Sequence, residues 1–166
     1  VTVLCQFRSH REALEQIGCR LYNIPIGRRN TNPLADIRLL YNFFQMLRKI
    51  KPDVVFSNNI KPNVYAGIAC RVLGIKYIPN ITGLGTPVET PGKLQFLATR
   101  LYKYGVAKAD TIFFQNEENV RFFEQHHMTP KNSHVCLLPG SGVNLQKHPK
   151  LPYSPGDVVH FLFVAR

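Results

Sequence analysis

The sequence predicts an α/β fold built on a parallel, doubly wound sheet, and three observations lead there. Strand-patterned and helix-patterned segments alternate from end to end, which sets parallel strands side by side with helices on both faces. The run Asp53–Ser57 is almost continuously apolar, as a central strand buried on both faces would be. Finally, an apolar run from Tyr77 to Ile81 enters a loop with two glycines one residue apart, Gly83 and Gly85, before Pro87. Glycines there let backbone N–H groups approach a ligand closely.

The elements follow in order. Thr2–Gln6 is a short β-rich run, and Ser9 with Glu12 reads as a capping box opening a helix that ends at Gly18. Arg20–Ile26 is the next strand, and 27–33 is a basic, polar loop whose Pro33 suits a first helical turn. The helix from Leu34 to about Lys51 carries Leu40, Phe43, Phe44, Leu47 and Ile50 at spacings of three and four. Asp53–Ser57 follows, then a helix opened by Pro62 and closed at Gly74, then the strand Lys76–Ile81.

Lys93–Lys108 reads as a helix with Leu94, Leu97, Ala98, Leu101 and Val106 on its apolar side. Lys93, Phe96, Arg100, Lys103 and Tyr104 lie on another face, which suits either solvent or an anionic lipid surface. Asp110–Gln115 is a strand, Asn116 caps a helix reaching His127, and His134–Leu138 is a further strand. Residues 147–156 hold three prolines and a glycine, the composition of a linker, and Val158–Val164 is again strand-like.

Composition narrows the function classes. The chain has 166 residues, 45% hydrophobic and 19% charged, which is globular rather than disordered. No apolar run is long enough for a transmembrane helix. The net charge of +11 favours acidic partners such as phosphorylated substrates or anionic headgroups. That charge is spread along the whole chain without zinc-finger spacing or an RNA-binding signature, so nucleic acid is not expected as a partner. Cys5, Cys19, Cys70 and Cys136 show no metal-ligand spacing and read as reduced, mostly buried thiols, with two bridges in a secreted chain as the alternative that composition leaves open. There is no Gly-x-Ser-x-Gly elbow, no P-loop and no convergent pair of carboxylates, and no metal is expected.

What remains is a cleft. In an open α/β sheet, ligands bind beyond the carboxyl ends of the strands. The residues just past those ends are Asn59, Lys61 and Asn63, then Thr82, Gly83 and Gly85, then Gly140, Ser141, Gly142 and Asn144. Their amides, hydroxyls and backbone groups suit neutral or phosphorylated ligands held by hydrogen bonds. Lys61, beside Pro62 at a helix start, is the expected anion contact. The plainer alternative is that the glycines only build turns and Lys61 is a solvated cap.

Several segments in sequence resemble the amino-terminal domain of retaining family 4 glycosyltransferases of the GT-B fold, in particular the bacterial capsule and lipid-linked oligosaccharide branch. They are Pro25-Ile26 with Thr31-Asn32-Pro33, Ile60-Lys61-Pro62-Asn63, Ile81-Thr82-Gly83-Leu84-Gly85, Ile112-Phe113-Phe114-Gln115-Asn116 and Leu138-Pro139-Gly140-Ser141-Gly142-Val143. Phe163-Val164-Ala165-Arg166 resembles the first strand of that family's second domain.

The resemblance implies one Rossmann-like half of a GT-B fold, truncated: residues 1–146 an acceptor-side domain, 147–157 a linker, and 158–166 the first strand of a donor-binding domain. It further implies that the chain begins at the domain's second strand. The implied activity of the whole protein is retaining sugar transfer from a nucleotide-sugar, expected to be UDP-linked, to a lipid-linked or polysaccharide acceptor. No cofactor or metal is implied. The expected location is cytoplasmic, peripheral to the inner membrane face, with an anionic membrane surface as a further partner.

Arg166 aligns with the family arginine that contacts the donor diphosphate, and the catalytic residues stay unassigned. This fragment alone is expected to be inactive. Two departures stand out: Gly142-Val143-Asn144 where the family shows Gly-Val-Asp, and Asn58-Asn59 in place of a histidine. Two rival readings stay open, a non-catalytic acceptor-binding or membrane-docking subunit of a split transferase and a sugar-nucleotide epimerase of the same architecture.

Overall fold

A computed structural model describes residues 1–7, 9–27, 32–85, 88, 92–151 and 161–163. Strands and helices alternate as β1 (Thr2–Cys5), α1 (Arg11–Gln16), β2 (Arg20–Asn23), α2 (Pro33–Ile50), β3 (Val54–Asn58) and α3 (Ile60–Leu73). They continue as β4 (Lys76–Ile81), α4 (Lys93–Val106), β5 (Thr111–Phe114), α5 (Glu117–Gln125) and β6 (His134–Leu137). Every strand pair is parallel. The fold is α/β with parallel sheets, a Rossmann-like half; the second winding of the expected doubly wound sheet is not seen among the described strands, whose four-stranded sheet runs in simple sequence order.

The strands do not make one hydrogen-bonded sheet. β1 pairs with β2, and β3, β4, β5 and β6 form a separate four-stranded sheet in that order. This corrects the expectation for Asp53–Ser57. Among the described residues β3 pairs on one side only, with β4, and its Val54 and Phe56 are half exposed. An apolar run marks β-propensity and burial demand, but the neighbour of a strand is a long-range choice that the run itself does not encode.

Local chemistry sets the helix ends. The Asn32 side chain accepts from the Leu34 N–H at 3.0 Å and Pro33 opens α2, which stops at Lys51 in a left-handed conformation (φ 50°). α3 ends on Gly74 (φ 67°), where glycine avoids the Cβ penalty. The Asn116 side chain accepts from the Asn119 N–H at 2.8 Å, with Glu117 and Glu118 in the first turn of α5. The capping box at Ser9 does not form: the residue preceding α1 is His10 (φ 59°), and no side chain caps that helix.

The core lies where α2, α3, α4 and α5 meet one face of the four-stranded sheet. Leu39, Phe43 and Leu47 of α2 are buried, a stripe turned slightly from the expected one. Ile81, Ile112 and Phe114 come from the strands, and Phe123 of α5 packs edge-on against Phe114 and Tyr102. α3 and α4 cross closely because Gly67 faces Gly105, so that a Cβ added at Gly67 would collide with the Gly105 carbonyl oxygen.

That close seam decides how α4 faces. Tyr102, Gly105 and Val106 turn inward, while Leu94 and Leu97, expected on the buried side, are more than half exposed. Small residues let the backbones approach, and a leucine there would hold them apart. Among the described residues no helix is long and apolar enough to cross a membrane. Residues 161–163 are almost fully exposed and belong to no strand, and the rest of the expected strand 158–166 lies outside the described residues, as does much of the 147–157 stretch.

Candidate functional site at the carboxyl edge of the sheet

Parallel pairing puts the ends of β3, β4, β5 and β6 on one edge, with their following loops side by side. The register sets Asn58 beside Asn80 and Phe114 beside Leu137. Side chains then tie adjacent loops together. Asn80 Nδ2 donates to Asn58 Oδ1 at 2.8 Å, and Gln115 Nε2 donates to Ser141 Oγ at 3.2 Å. Neither Asn80 nor Gln115 stands among the residues chosen from sequence. A polar residue at the last or next-to-last strand position was the available signal for both.

The residues chosen from sequence separate into distinct groups. Thr82 is exposed immediately after β4, and Gly83 has open space around it, with nothing within 4 Å of an added Cβ. Gly85 has φ 71°, and its carbonyl accepts from the Val88 N–H at 2.9 Å, a turn that only glycine adopts without strain. Gly140 (φ 94°) and Gly142 (φ 71°) flank Ser141 in the loop after β6. Asn144 is spent locally, its Oδ1 accepting from the N–H groups of Gln146 and Lys147. Asn59, exposed, precedes α3 with φ 71° and ψ 160°, a conformation rare outside glycine, and its side chain does not cap the helix. Arg166 lies outside the described residues.

Two residues sit otherwise than the sequence implied. Asn63 is not in the groove; it is fully buried. Ser57 Oγ donates to its Oδ1 at 2.7 Å, and its Nδ2 donates to the Asn80 carbonyl at 2.9 Å and to Tyr102 Oη at 3.3 Å. The Tyr77 hydroxyl donates to the Asn63 carbonyl at 2.6 Å. Burial raises Tyr102 to about 12 and holds Tyr77 well above its ordinary range, so both remain protonated partners. The network locks α3 and α4 to the sheet.

Lys61 is the second. Its ammonium lies 2.6 Å from Asp36 Oδ1 in a mostly buried ion pair between α3 and α2. The Tyr65 hydroxyl also reaches Asp36, and burial together with that carboxylate pushes the phenol upward. Lys61 is therefore a held cation, and an anion arriving at the edge would share it with Asp36.

A hollow beside the other sheet escaped the sequence reading altogether. Beyond β1 and β2 lies a hollow of about 620 Å³ lined by Phe7, Ser9, His10, Arg11, Glu12, Ala13 and Asn23. One aromatic ring among hydroxyl, imidazole and amide groups suits a sugar ring. Arg11 is engaged with Glu15 at 3.1 Å, both exposed, so that pair contributes little to stability. The His10 conformation, hidden beneath an apparent capping box, shapes this hollow. Among the described residues no three His, Cys, Asp or Glu side chains converge in a metal-binding group. Cys70 is buried and its thiol is pushed up to about 12, which makes it unreactive.

A parallel α/β unit with polar loops gathered beyond the carboxyl ends of its strands has them where open α/β sheets bind their ligands. Residues 1–116 match the glycosyl transferase 4-like family, and the chain belongs to it. A curated relative, the UDP-Gal:alpha-D-GlcNAc-diphosphoundecaprenol alpha-1,3-galactosyltransferase of Escherichia coli, is 24% identical over 130 residues, 77% of this chain and 33% of its own length.

Among solved structures, Anabaena Alr3699/HepE in complex with UDP superposes with a TM-score of 0.58 at 13% identity, covering 91% of this chain and 46% of that one. Glycyrrhiza uralensis UGT73P12, complexed with glycyrrhetinic acid 3-O-monoglucuronide, gives 0.51 at 12% identity, covering 82% and 42%. These likenesses are of fold. The chain spans about a third of its curated relative and less than half of either structure.

Proposed function

We propose that this chain is the acceptor-side half of a retaining glycosyltransferase that moves a sugar from a UDP-linked donor to a lipid-linked or polysaccharide acceptor, in the assembly of a capsule or similar glycan. The observation behind this reading is the family match over residues 1–116, set on a sheet whose carboxyl-edge loops offer exposed hydrogen-bonding groups. The relative that acts on UDP-Gal and a diphosphoundecaprenol-linked sugar supports the choice of donor and acceptor class. In this reading residues 1–146 bind the acceptor, 147–157 is a linker and 158–166 opens the donor half. The exposure of apolar Phe161, Leu162 and Phe163 supports a further packing partner for that segment.

The chemistry asked of the acceptor side is positioning. Thr82, the open backbone at Gly83 and the Ser141 hydroxyl would orient the acceptor sugar. Asn59 and the Lys61–Asp36 pair would lie near its phosphate. Arg166 would contact the donor diphosphate. Helix N-termini and cations can neutralise a leaving diphosphate, so we propose a reaction without metal. Since reacting atoms are positioned only when both halves close, residues 1–166 alone would not turn over. We place the protein on the cytoplasmic side, peripheral to the membrane.

The test is the full-length protein with a radiolabelled UDP-sugar and a lipid-diphosphate sugar, with a chelator present and absent. The expected product is a transferred sugar with the donor's anomeric configuration, formed equally in both. Inverted configuration, an epimerised free nucleotide-sugar, or no transfer would overturn the reading. In the same enzyme, Gly83→Val should abolish transfer while the thermal transition is unchanged, since a side chain there has room but blocks close approach.

A further inference from the structure

Two asparagines meet at the carboxyl ends of β3 and β4. The register sets Asn58, the last residue of β3, beside Asn80 of β4. Asn58 is exposed, whereas Asn80 is only 7% exposed. The backbone of Asn80 is pinned, its carbonyl accepting from Asn63 Nδ2 at 2.9 Å. Its side-chain Nδ2 donates to Asn58 Oδ1 at 2.8 Å. Its own Oδ1 is buried and, among the described residues, has no hydrogen-bond partner.

The direction of that bond decides what Asn58 can offer a ligand. With its Oδ1 occupied, Asn58 is left with the two N–H groups of its Nδ2, which have no partner among the described residues. The opposite arrangement, with Asn58 donating, would bury the Asn80 amide N–H groups without an acceptor. Orphaned buried N–H groups are rarer than under-met carbonyls, so the bond runs the cheaper way. Asn58 is thereby an exposed amide fixed as a donor by a buried one. Beside it Asn59 holds φ 71° and ψ 160°, and strained backbone of this kind collects at ligand sites. Two residues past Asn80, the Thr82 side chain is exposed as well.

We propose that Asn58 is a specificity-determining contact that donates to a hydroxyl oxygen of the acceptor sugar, and that Asn80 is the residue that positions it to do so. A phosphate oxygen calls for a cation, and neither Asn58 nor Thr82 brings one. A sugar hydroxyl accepts from an amide N–H and keeps its own proton for another partner. An apolar residue in place of Asn80 would leave no unmet carbonyl, but it could not hold the Asn58 amide in one sense. This rests on the acceptor-side reading above and adds to it the residue that reads the sugar.

The experiment measures initial rates of the full-length enzyme with the lipid-diphosphate sugar and with the UDP-sugar, each varied while the other saturates. Binding of the lipid-diphosphate sugar alone is followed by titration calorimetry. Asn58→Asp decides most. Its carboxylate still accepts from Asn80 Nδ2, but the outward N–H groups become an oxygen that cannot donate. The acceptor KM and Kd should rise about ten-fold, the scale of one lost hydrogen bond, with the donor KM and the thermal transition unchanged. Among acceptors lacking one hydroxyl each, one should lose about as much with wild type and nothing further with Asn58→Asp. Asn80→Leu should raise the acceptor KM about three-fold, with a thermal transition no lower than wild type, and should add nothing in an Asn58→Ala background.

A wild-type acceptor KM in Asn58→Asp, or a rise confined to the donor KM, overturns the proposal. So does an Asn80→Leu effect of equal size with and without Asn58. Absence of transfer, with acceptor binding weakened by Asn58→Asp, sinks the proposed activity alone. Transfer that Asn58→Asp leaves untouched sinks this inference alone, and a protein that neither transfers nor binds the acceptor overturns both.

Discussion

α3 and α4 are each fourteen residues long and pack against one another, yet they meet solvent in opposite ways. α3 buries Asn63, Val64, Ala66, Gly67, Ala69 and Cys70, so that most of two faces is lost to the core. α4 buries only Tyr102, Gly105 and Val106. The difference does not follow from hydrophobicity, because α4 carries three leucines that stay outside. It follows from the seam. Two backbones that approach through Gly67 and Gly105 leave no volume for a leucine between them, and the helix rotates until its small residues face inward. Close packing selects shape before it selects apolarity.

The largest effect should come from breaking the seam. A Cβ at Gly105 would lie 2.8 Å from Val64 Cα and 2.9 Å from the Val64 carbonyl oxygen. Both are backbone atoms of α3 and neither can rotate away. Gly105→Ala should therefore cost about 3 kcal/mol, at the upper end of overpacking, read as a lowered urea midpoint with an unchanged slope. A midpoint equal to wild type would mean that the helices separate freely and the seam does not set the orientation of α4.

A smaller loss should follow from emptying the polar side of α3. Asn63→Leu preserves volume but leaves the Asn80 carbonyl and the Tyr102 hydroxyl without their donor in a buried setting. Unsatisfied buried groups cost about 1–3 kcal/mol, so a loss of about 2 kcal/mol is expected in the same unfolding experiment. If Asn63→Leu is neutral, the network contributes nothing to stability and does not lock the helices to the sheet.

These two helices also show how far the sequence reads. The alternation of elements was legible, and so were the bounds of β4 and the caps at Gly74 and Asn116, because each is local chemistry. The outward leucines were not legible, since periodicity counts apolar residues and says nothing of the volume available opposite them. Asn63 follows a strand end and a proline, which looks like a cleft position. Its partners Tyr77 and Tyr102 stand 14 and 39 residues away, and only folding brings them to it. β3 took an edge, and Lys61 was claimed by Asp36 from 25 residues upstream, for the same reason. Of the candidate edge, the exposed loop positions Asn59, Thr82 and Ser141 and the half-buried Gly83 were readable as residues following strands. The hollow around His10 was not, because the residues that form it also spell a capping box.

The smallest expected effect sharpens the comparison most. Leu97 and Val106 lie on one helix nine positions apart, and by composition alone the leucine should matter more. The structure reverses the order: Val106 is wholly buried, and Leu97 is 56% exposed. Truncating Val106→Ala removes two buried methyl groups and leaves a small void, a loss of about 2 kcal/mol. Leu97→Gln trades partly hydrated apolar surface for an amide that water can serve, on a helix where glutamine propagates about as well as leucine. Its effect should stay within about 0.5 kcal/mol, the range of ordinary surface substitutions, in parallel urea titrations of the two variants. A large loss at Leu97 would show that something in the folded protein covers it. The outward face of α4 would then be an internal interface of the protein and not an open surface.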